Sequence, residues 1–178
     1  GSPEGHVIEM SCREQCFAPE KPFLAYLKVK GLTFAHAANG APVPQHGALS
    51  CRRGHHWVIE DCTVDWANAV GFDVGNEGWS IQKIPGQIIG NTVIRRCRLF
   101  DCGVCGIAGV GATNMLVEDT LIARTGWQHM EFAWESGALK FHNCENSLFR
   151  RNIFRDSDRC CGVWLDCNNK NDRFTQNL

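Results

Sequence analysis

An all-β solenoid, a parallel β-helix, is the fold class that the sequence predicts. A seven-residue pattern of β-type character recurs four times without gaps, at residues 58–64, 93–99, 116–122 and 148–154, with a weaker copy before these and a truncated copy after them. The copies recur every 23 to 35 residues, and no apolar pattern at helical spacing lies between them. Each repeat is therefore expected to form one coil, and the coils to stack at about 4.8 Å.

Each copy of the pattern has one apolar residue at a fixed position, and these markers are expected to lie beside one another in one sheet. The markers are Val29, Ile59, Ile94, Val117, Phe149 and Phe174. A second short strand follows several copies after a glycine, at residues 71–74, 106–108, 137–142 and 162–166. Because no helix of about ten residues or more separates the strands, a βαβ sheet is disfavoured.

Insertions account for the longer repeats. They fall at residues 35–50, 75–90 and 126–136 and are expected to form turns that project from one side and build a binding groove. The last copy stops inside its strand without a capping pattern. We therefore expect residues 1–178 to form a single β-helix domain that is truncated at its C-terminal end.

Composition excludes several classes of partner. The 178 residues contain 18 Lys and Arg against 19 Asp and Glu, a formal net charge of −1, which argues against a nucleic-acid-binding domain. The apolar runs are too short for a membrane span, so no membrane partner is expected. No signal-peptide pattern opens the chain, and the compartment and the oligomeric state stay open.

The 11 cysteines are interpreted mainly as packing residues. Cys62 and Cys97 share one repeat position, which predicts a stacked ladder with Thr120 and Asn152 of later coils. The adjacent His55 and His56 and the Cys102–Cys105 spacing both invite a metal interpretation. Neither has further ligands at a convincing zinc spacing, so no metal site is predicted.

Alternation along two neighbouring strands gathers polar side chains on one face. The expected register places Lys140 beside Trp164 and His142 beside Asp166, all pointing away from the coil interior. Trp164 offers a stacking face for a sugar ring, and Lys140 or His142 can bind hydroxyl groups or tune a carboxylate. A carboxylate, a base, a cation and an aromatic plate are the groups that a sugar site requires.

Three segments carry a resemblance to a known family: WESGALKFH at 134–142, NSLFRRN at 146–152 and GVWLD at 162–166. They resemble the right-handed parallel β-helix proteins of the pectate-lyase-like superfamily, and within it most closely the family 120 glycoside hydrolases, the β-xylosidases. The resemblance implies that Asp166 is the nucleophile and that the acid/base glutamate lies about one coil further on, beyond Leu178. Cys167 and Asn168 depart from the family, in which a second aromatic residue follows the aspartate.

Adjacent coils suit a pair of catalytic carboxyl groups. Retaining glycosidases hold the two groups about 5–5.5 Å apart and inverting ones about 6.5–9.5 Å apart, and one coil spacing is close to the retaining distance. Glu135, in the turn before its strand, is the in-chain candidate for the second carboxyl group. Trp134 and Asp73 are predicted to contact substrate together with Lys140, His142 and Trp164.

The function predicted is a carbohydrate-active β-helix, a retaining glycoside hydrolase that acts on an oligosaccharide or polysaccharide and needs no cofactor. A polysaccharide lyase of the same fold is one alternative. It would use Lys140 or an arginine as base and Ca²⁺ held among Asp73, Glu77 and Asp166. A non-catalytic glycan-binding or structural β-helix is the other alternative.

Overall fold

The described residues form a parallel β-helix, as the repeats predict. The computed structural model describes residues 1–40, 46–76, 86–129 and 135–178. Within these ranges the strands form three sheets, and every strand pairing between neighbouring coils is parallel. No helix long and apolar enough to cross a bilayer occurs in the same ranges.

Each of the first five coils contributes one strand to each sheet, and the sixth contributes one strand to the first sheet. The first sheet contains β1 (Lys28–Lys30), β4 (Val58–Glu60), β7 (Val93–Arg95), β10 (Leu116–Glu118), β13 (Leu148–Arg150) and β16 (Arg173–Thr175). The second sheet contains β2 (Thr33–Ala37), β5 (Thr63–Ala67), β8 (Arg98–Cys102), β11 (Leu121–Ala123) and β14 (Ile153–Arg155). The third sheet contains β3 (Gly47–Ser50), β6 (Val70–Asp73), β9 (Cys105–Val110), β12 (Gly137–His142) and β15 (Cys161–Asp166).

The predicted register of the repeats is confirmed. The six marker residues lie directly beside one another across the first sheet. Ile59, Ile94, Val117 and Phe149 are fully buried in the core that the three sheets enclose. The glycine-preceded strands of the sequence pattern form the third sheet.

The seven-residue pattern contains two strands, where the sequence suggested one. A two-residue corner separates the first sheet from the second in each coil, and its first residue has positive φ: Asp61, Arg96, Asp119 and Arg151 at 51–56°. Glycine most readily adopts this left-handed conformation. Because these four corners carry charged residues, they were not predicted as turns.

The polar ladder predicted at this corner is present. Cys62, Cys97, Thr120 and Asn152 are all buried at the second corner position. The Cys97 amide donates to Thr120 Oγ1 (3.3 Å), and the Thr120 amide donates to Asn152 Oδ1 (3.1 Å). Burial raises the pKa of the Cys97 thiol to about 12, so this thiol acts as a packing group.

The remaining cysteine and histidine motifs also have structural roles. All 11 cysteines are free thiols, and all lie within the described residues. Cys102 and Cys105 are buried, and burial raises the pKa of both thiols. His55 Nδ1 lies 2.7 Å from His56 Nδ1, and the His56 ring stacks on Tyr26. Among the described residues, the one cluster of side chains with the spacing to hold a metal ion includes none of these side chains.

The insertions flank a single sheet. The connections at residues 38–46 and 124–136 lead into the third sheet, and the connection at residues 74–92 leaves it. Parts of these connections, residues 41–45, 77–85 and 130–134, lie outside the described residues. The sheet at which these long connections begin or end is the one that carries the candidate site.

A charge ladder stabilises the corner between the first and second sheets. Acidic and basic pairs alternate from coil to coil at one repeat position: Glu60-Asp61, Arg95-Arg96, Glu118-Asp119 and Arg150-Arg151. The Arg96 guanidinium binds both carboxylate oxygens of Asp61 at 2.7 and 3.1 Å, and Arg151 binds Asp119 at 2.7 and 2.8 Å. Because each bidentate pair joins two neighbouring coils in one geometry, these pairs help to fix the register of the stacked coils.

Glu60 is the most strongly held carboxylate of the charge ladder. Lys28, 2.7 Å away, and Arg95 lower the pKa of Glu60 to about 2. A carboxylate with a lowered pKa stabilises the fold above its unfolded pKa of about 4.3, and this contribution disappears as the pH falls toward 2. We expect Glu60→Gln to lower the urea midpoint at pH 7 and to reduce the loss of stability between pH 4.5 and 2.

Urea unfolding at a series of pH values measures this effect. Glu9→Gln is the matched control, since Glu9 is exposed and makes no side-chain hydrogen bond or ion pair within the described residues. Equal acid sensitivity of Glu60→Gln and Glu9→Gln would refute the contribution of the ladder.

Candidate functional site

The candidate site is built on two neighbouring strands of the third sheet. Leu139 of β12 pairs with Val163 of β15. This register places Lys140 beside Trp164 and His142 beside Asp166, as the alternation predicts. The polar side chains predicted from the sequence are therefore brought together.

The outward side of β12 is buried. Leu139 and Phe141 point into the core and are fully buried, as expected of the interior positions. Lys140 and His142, on the opposite face, are only 0% and 4% exposed. The sequence predicted that these side chains point outward into a groove, whereas the structure shows both of them buried.

Lys140 is the centre of an ion-pair cluster. Its Nζ lies 2.9 Å from Asp166 Oδ2 and 3.6 Å from Glu135 Oε1. A fully buried ammonium group requires such partners because an unpaired charge is very costly in the interior. The two carboxylates that share Lys140 are thereby held close together on the same face of the sheet.

Asp166 is the accessible carboxylate of the cluster. Its side chain is 33% exposed, whereas that of Glu135 is 3% exposed. The hydrogen bond from Lys140 lowers the pKa of Asp166 more than partial burial raises it, and a hydrogen bond from the Cys167 thiol lowers it further. Asp166 is therefore ionised at neutral pH and open to a ligand.

Trp164 completes the surroundings of the ammonium group. Lys140 Nζ lies 3.0 Å from the centroid of the Trp164 ring, a cation–π contact. The indole is partly exposed. Because one face of the indole covers the lysine, only the other face is left for further contacts.

Glu135 enters the site from the connection before β12. Its backbone has φ of 56°, an uncommon conformation for a residue with a side chain. Its carboxylate accepts a hydrogen bond from His142 Nε2 at 2.9 Å. This contact directs the other ring nitrogen, Nδ1, toward Asp166, whose Oδ2 lies 3.9 Å away.

The turn after β15 adds a thiol to the site. Cys167 and Asn168 both have positive φ, 51° and 49°. The Asn143 amide donates to the Cys167 carbonyl at 2.8 Å and thereby anchors the turn to the preceding coil. Cys167 Sγ donates to Asp166 Oδ1 at 3.3 Å, and this bond raises the pKa of the thiol.

Asp73, another predicted substrate contact, does not lie in this cluster. Asp73, on β6, lies three strands from β15, about 14 Å at the usual strand spacing, and accepts a hydrogen bond from the Gly47 amide at 3.1 Å. Trp134 and Glu77 lie outside the described residues. The carboxylates proposed for Ca²⁺ under the lyase alternative, Asp73 and Asp166, therefore do not share a site.

Two features of this site and its surroundings were not predicted from the sequence. The contact of Glu135 with His142 crosses from a connection to a strand, so no periodicity indicates it. The charge ladder is visible in the sequence as an alternation of acidic and basic pairs at one repeat position. The pattern of apolar markers does not distinguish these pairs, because it counts both simply as polar.

Comparisons with known proteins agree with this architecture. A family model described as a right-handed beta helix region matches residues 25–178. Among solved structures, the complex of XylC with xylose has a TM-score of 0.79 and 24% sequence identity to this chain. The match covers 93% of this chain and 31% of the XylC chain, so the chain spans about a third of that protein. No curated protein matches the chain.

Proposed function

We propose a carbohydrate-active function for this chain, which belongs to the right-handed β-helix family. The proposal is that the cluster on β12 and β15 binds a glycoside, and that Asp166 is the nucleophile of a retaining hydrolysis. A solved structure of the same fold, XylC, contains xylose, which supports a xylosyl unit as the first sugar to test.

One observation carries the proposal: the only partly exposed carboxylate of the cluster has a lowered pKa. Lys140, 2.9 Å from Asp166, favours the ionised form of this carboxylate. A glycosidase nucleophile must be ionised to attack the anomeric carbon, whereas a general acid needs a raised pKa. The environment of Asp166 therefore suits the nucleophile and not the acid.

The neighbouring side chains support that role. Glu135 is buried against His142 and Lys140, so in this proposal it is a positioning residue that fixes the orientation of both. Glu135 also stays the candidate for the second catalytic carboxyl group, because its Oε1 lies 3.6 Å from the same Lys140 ammonium group that binds Asp166. The open face of Trp164 provides a platform for the sugar ring, as aromatic rings do for apolar ligand faces.

A 2-fluoro-xyloside with a dinitrophenolate leaving group tests the nucleophile directly. Asp166 attacks the anomeric carbon, the bond to the leaving oxygen breaks, and the phenolate departs with the electron pair. This leaving group needs no protonation, so the test does not depend on the acid/base residue. We expect intact-mass spectrometry to show one fluoroxylosyl adduct, and peptide mapping to locate it on Asp166.

Substitution of the nucleophile gives the decisive comparison. We expect Asp166→Asn to slow labelling by about 10³-fold or more. Asp156→Asn, which removes an exposed carboxylate that forms an ion pair with Arg155, should label like the wild type. An adduct on Cys167, or equal labelling of Asp166→Asn, would contradict the assignment. Unchanged xyloside binding by Asp166→Asn, with no adduct in either protein, would favour the non-catalytic binding module.

A further inference from the structure

We propose that His142, Asp166 and Cys167 form a binding site for a borderline-soft divalent transition ion such as Zn²⁺. One nitrogen of His142, one carboxylate oxygen of Asp166 and the Cys167 sulfur all lie within 4.8 Å of one another. Nitrogen, oxygen and sulfur donors together suit Zn²⁺ and Co²⁺ and do not suit Ca²⁺ or Mg²⁺.

Two separations in this cluster, measured to the two different oxygens of Asp166, are close to those between the ligands of a tetrahedral zinc site. Bonds of about 2.0–2.3 Å to zinc place neighbouring ligand atoms roughly 3.3–3.8 Å apart. Cys167 Sγ is 3.3 Å from Asp166 Oδ1, and His142 Nδ1 is 3.9 Å from Asp166 Oδ2. Because Cys167 is exposed, small side-chain rotations can complete the geometry. Three protein ligands leave a fourth position for water.

Glu135 prepares the histidine for this role. Its carboxylate accepts the hydrogen bond of His142 Nε2 at 2.9 Å, which places the proton on Nε2 and the lone pair on Nδ1, the nitrogen nearer to Asp166. Histidine ligands of metals commonly donate their other N–H to a carboxylate in this way. The buried position of Glu135 fixes this orientation.

The charges of the site also permit a divalent ion. Lys140 contacts Oδ2 of Asp166, whereas Cys167 contacts Oδ1, so the ion can approach from the thiol side without displacing the ammonium group. Binding releases one proton, from the Cys167 thiol to solvent. The Cys167 thiolate and the Asp166 carboxylate then offer two negative charges to the divalent ion.

Occupancy would block the chemistry proposed for Asp166. Zn²⁺ on Oδ1 would withdraw negative charge from the Asp166 carboxylate, and Oδ2 is already hydrogen-bonded to Lys140, so neither oxygen is left to attack an anomeric carbon. This consequence rests on the proposed function, whereas metal binding itself does not. Metal binding and the block of the Asp166 chemistry are therefore tested by separate measurements.

Co²⁺ serves as the spectroscopic probe of the site in the purified chain, without any sugar. We expect one equivalent of Co²⁺ to produce a thiolate-to-cobalt charge-transfer band in the near ultraviolet, which Zn²⁺ abolishes by competition and Ca²⁺ and Mg²⁺ leave unchanged. Cys167→Ser should abolish the band. Glu135→Gln should weaken Co²⁺ binding by about 10- to 100-fold, as removal of an outer carboxylate partner does.

The exposed cysteines supply the matched controls. Cys12→Ser and Cys161→Ser should retain the band and the affinity of the wild type. A band that persists in Cys167→Ser, or the lack of saturable Co²⁺ binding in the wild type, would overturn the metal site.

If the metal site is confirmed, fluoroxyloside labelling should be blocked by Zn²⁺ and restored by a chelator. Labelling of Asp166 that persists with Zn²⁺ bound would overturn the blocking role, and labelling in chelator alone tests the nucleophile independently.

Discussion

Replacement of Lys140 by methionine is expected to lower the free energy of unfolding by about 3–5 kcal/mol, because it removes the cation from a buried ion-pair cluster. Methionine retains most of the side-chain volume against Trp164 but removes the ammonium group that lies 3.6 Å from Glu135, whose side chain is only 3% exposed. It also removes the hydrogen bond that lowers the pKa of Asp166, so that pKa should rise.

The pH dependence identifies the electrostatic origin of this effect. In the wild type, the lowered pKa of Asp166 stabilises the fold above the unfolded pKa of about 3.9, and this contribution disappears as the pH falls below it. The stability difference between Lys140→Met and the wild type should therefore be larger at pH 7 than at pH 3. Urea midpoints at both pH values, with an NMR titration of the Asp166 carboxyl group, measure it.

Two further variants keep this prediction testable. Lys170→Met removes an exposed lysine and should change stability by no more than about 0.5 kcal/mol. The double variant Lys140→Met with Glu135→Gln removes a charge from each side and should recover part of the lost stability. A Lys140→Met protein no less stable than Lys170→Met would show that the cluster is not an effective ion pair.

Phe149→Ala is expected to destabilise the β-helix by about 3–5 kcal/mol through the cavity that it leaves. Phe149 is fully buried, and its ring stacks on that of Phe174 at 4.4 Å and meets that of Phe141 edge-on at 5.4 Å. These aromatic rings join three strands, including β12, which carries Lys140 and His142. The loss should therefore also loosen the candidate site.

Thermal and urea unfolding compare this variant with Phe174→Ala. Phe174 is 36% exposed, so its truncation creates little enclosed cavity and should cost less than half as much. Equal destabilisation by the two substitutions would mean that stacking within the pair, and not burial, dominates the effect.

The sequence predicted much of the coil geometry because a parallel β-helix converts repeat positions into neighbours. Once Ile59, Ile94 and Val117 occupy one column, every other position of the coil has a definite neighbour above and below it. The alternation of a strand then places Lys140 and His142 on one face beside Trp164 and Asp166. These relations depend only on period and register, which a single sequence displays.

The corners between the first and second sheets were not predicted from the sequence, because no particular residue type marks their backbone conformation. Asp61 and Arg96 adopt positive φ as part of bidentate ion pairs between coils. Sequence patterns for such a turn rely on glycine or asparagine, which tolerate this backbone at low cost. A charged residue held there by tertiary contacts does not fit those patterns.

The sequence by itself determined the coil repeat, the strand register and the identity of the four side chains that share one face. Only the tertiary structure decided that Lys140 and His142 are buried, that Glu135 contacts both, and that Cys167 reaches Asp166. The physical reason is the path of the chain between strands. Contacts along a sheet follow from its fixed spacing, whereas contacts from a connection to a sheet depend on where that connection turns back, which periodicity does not encode.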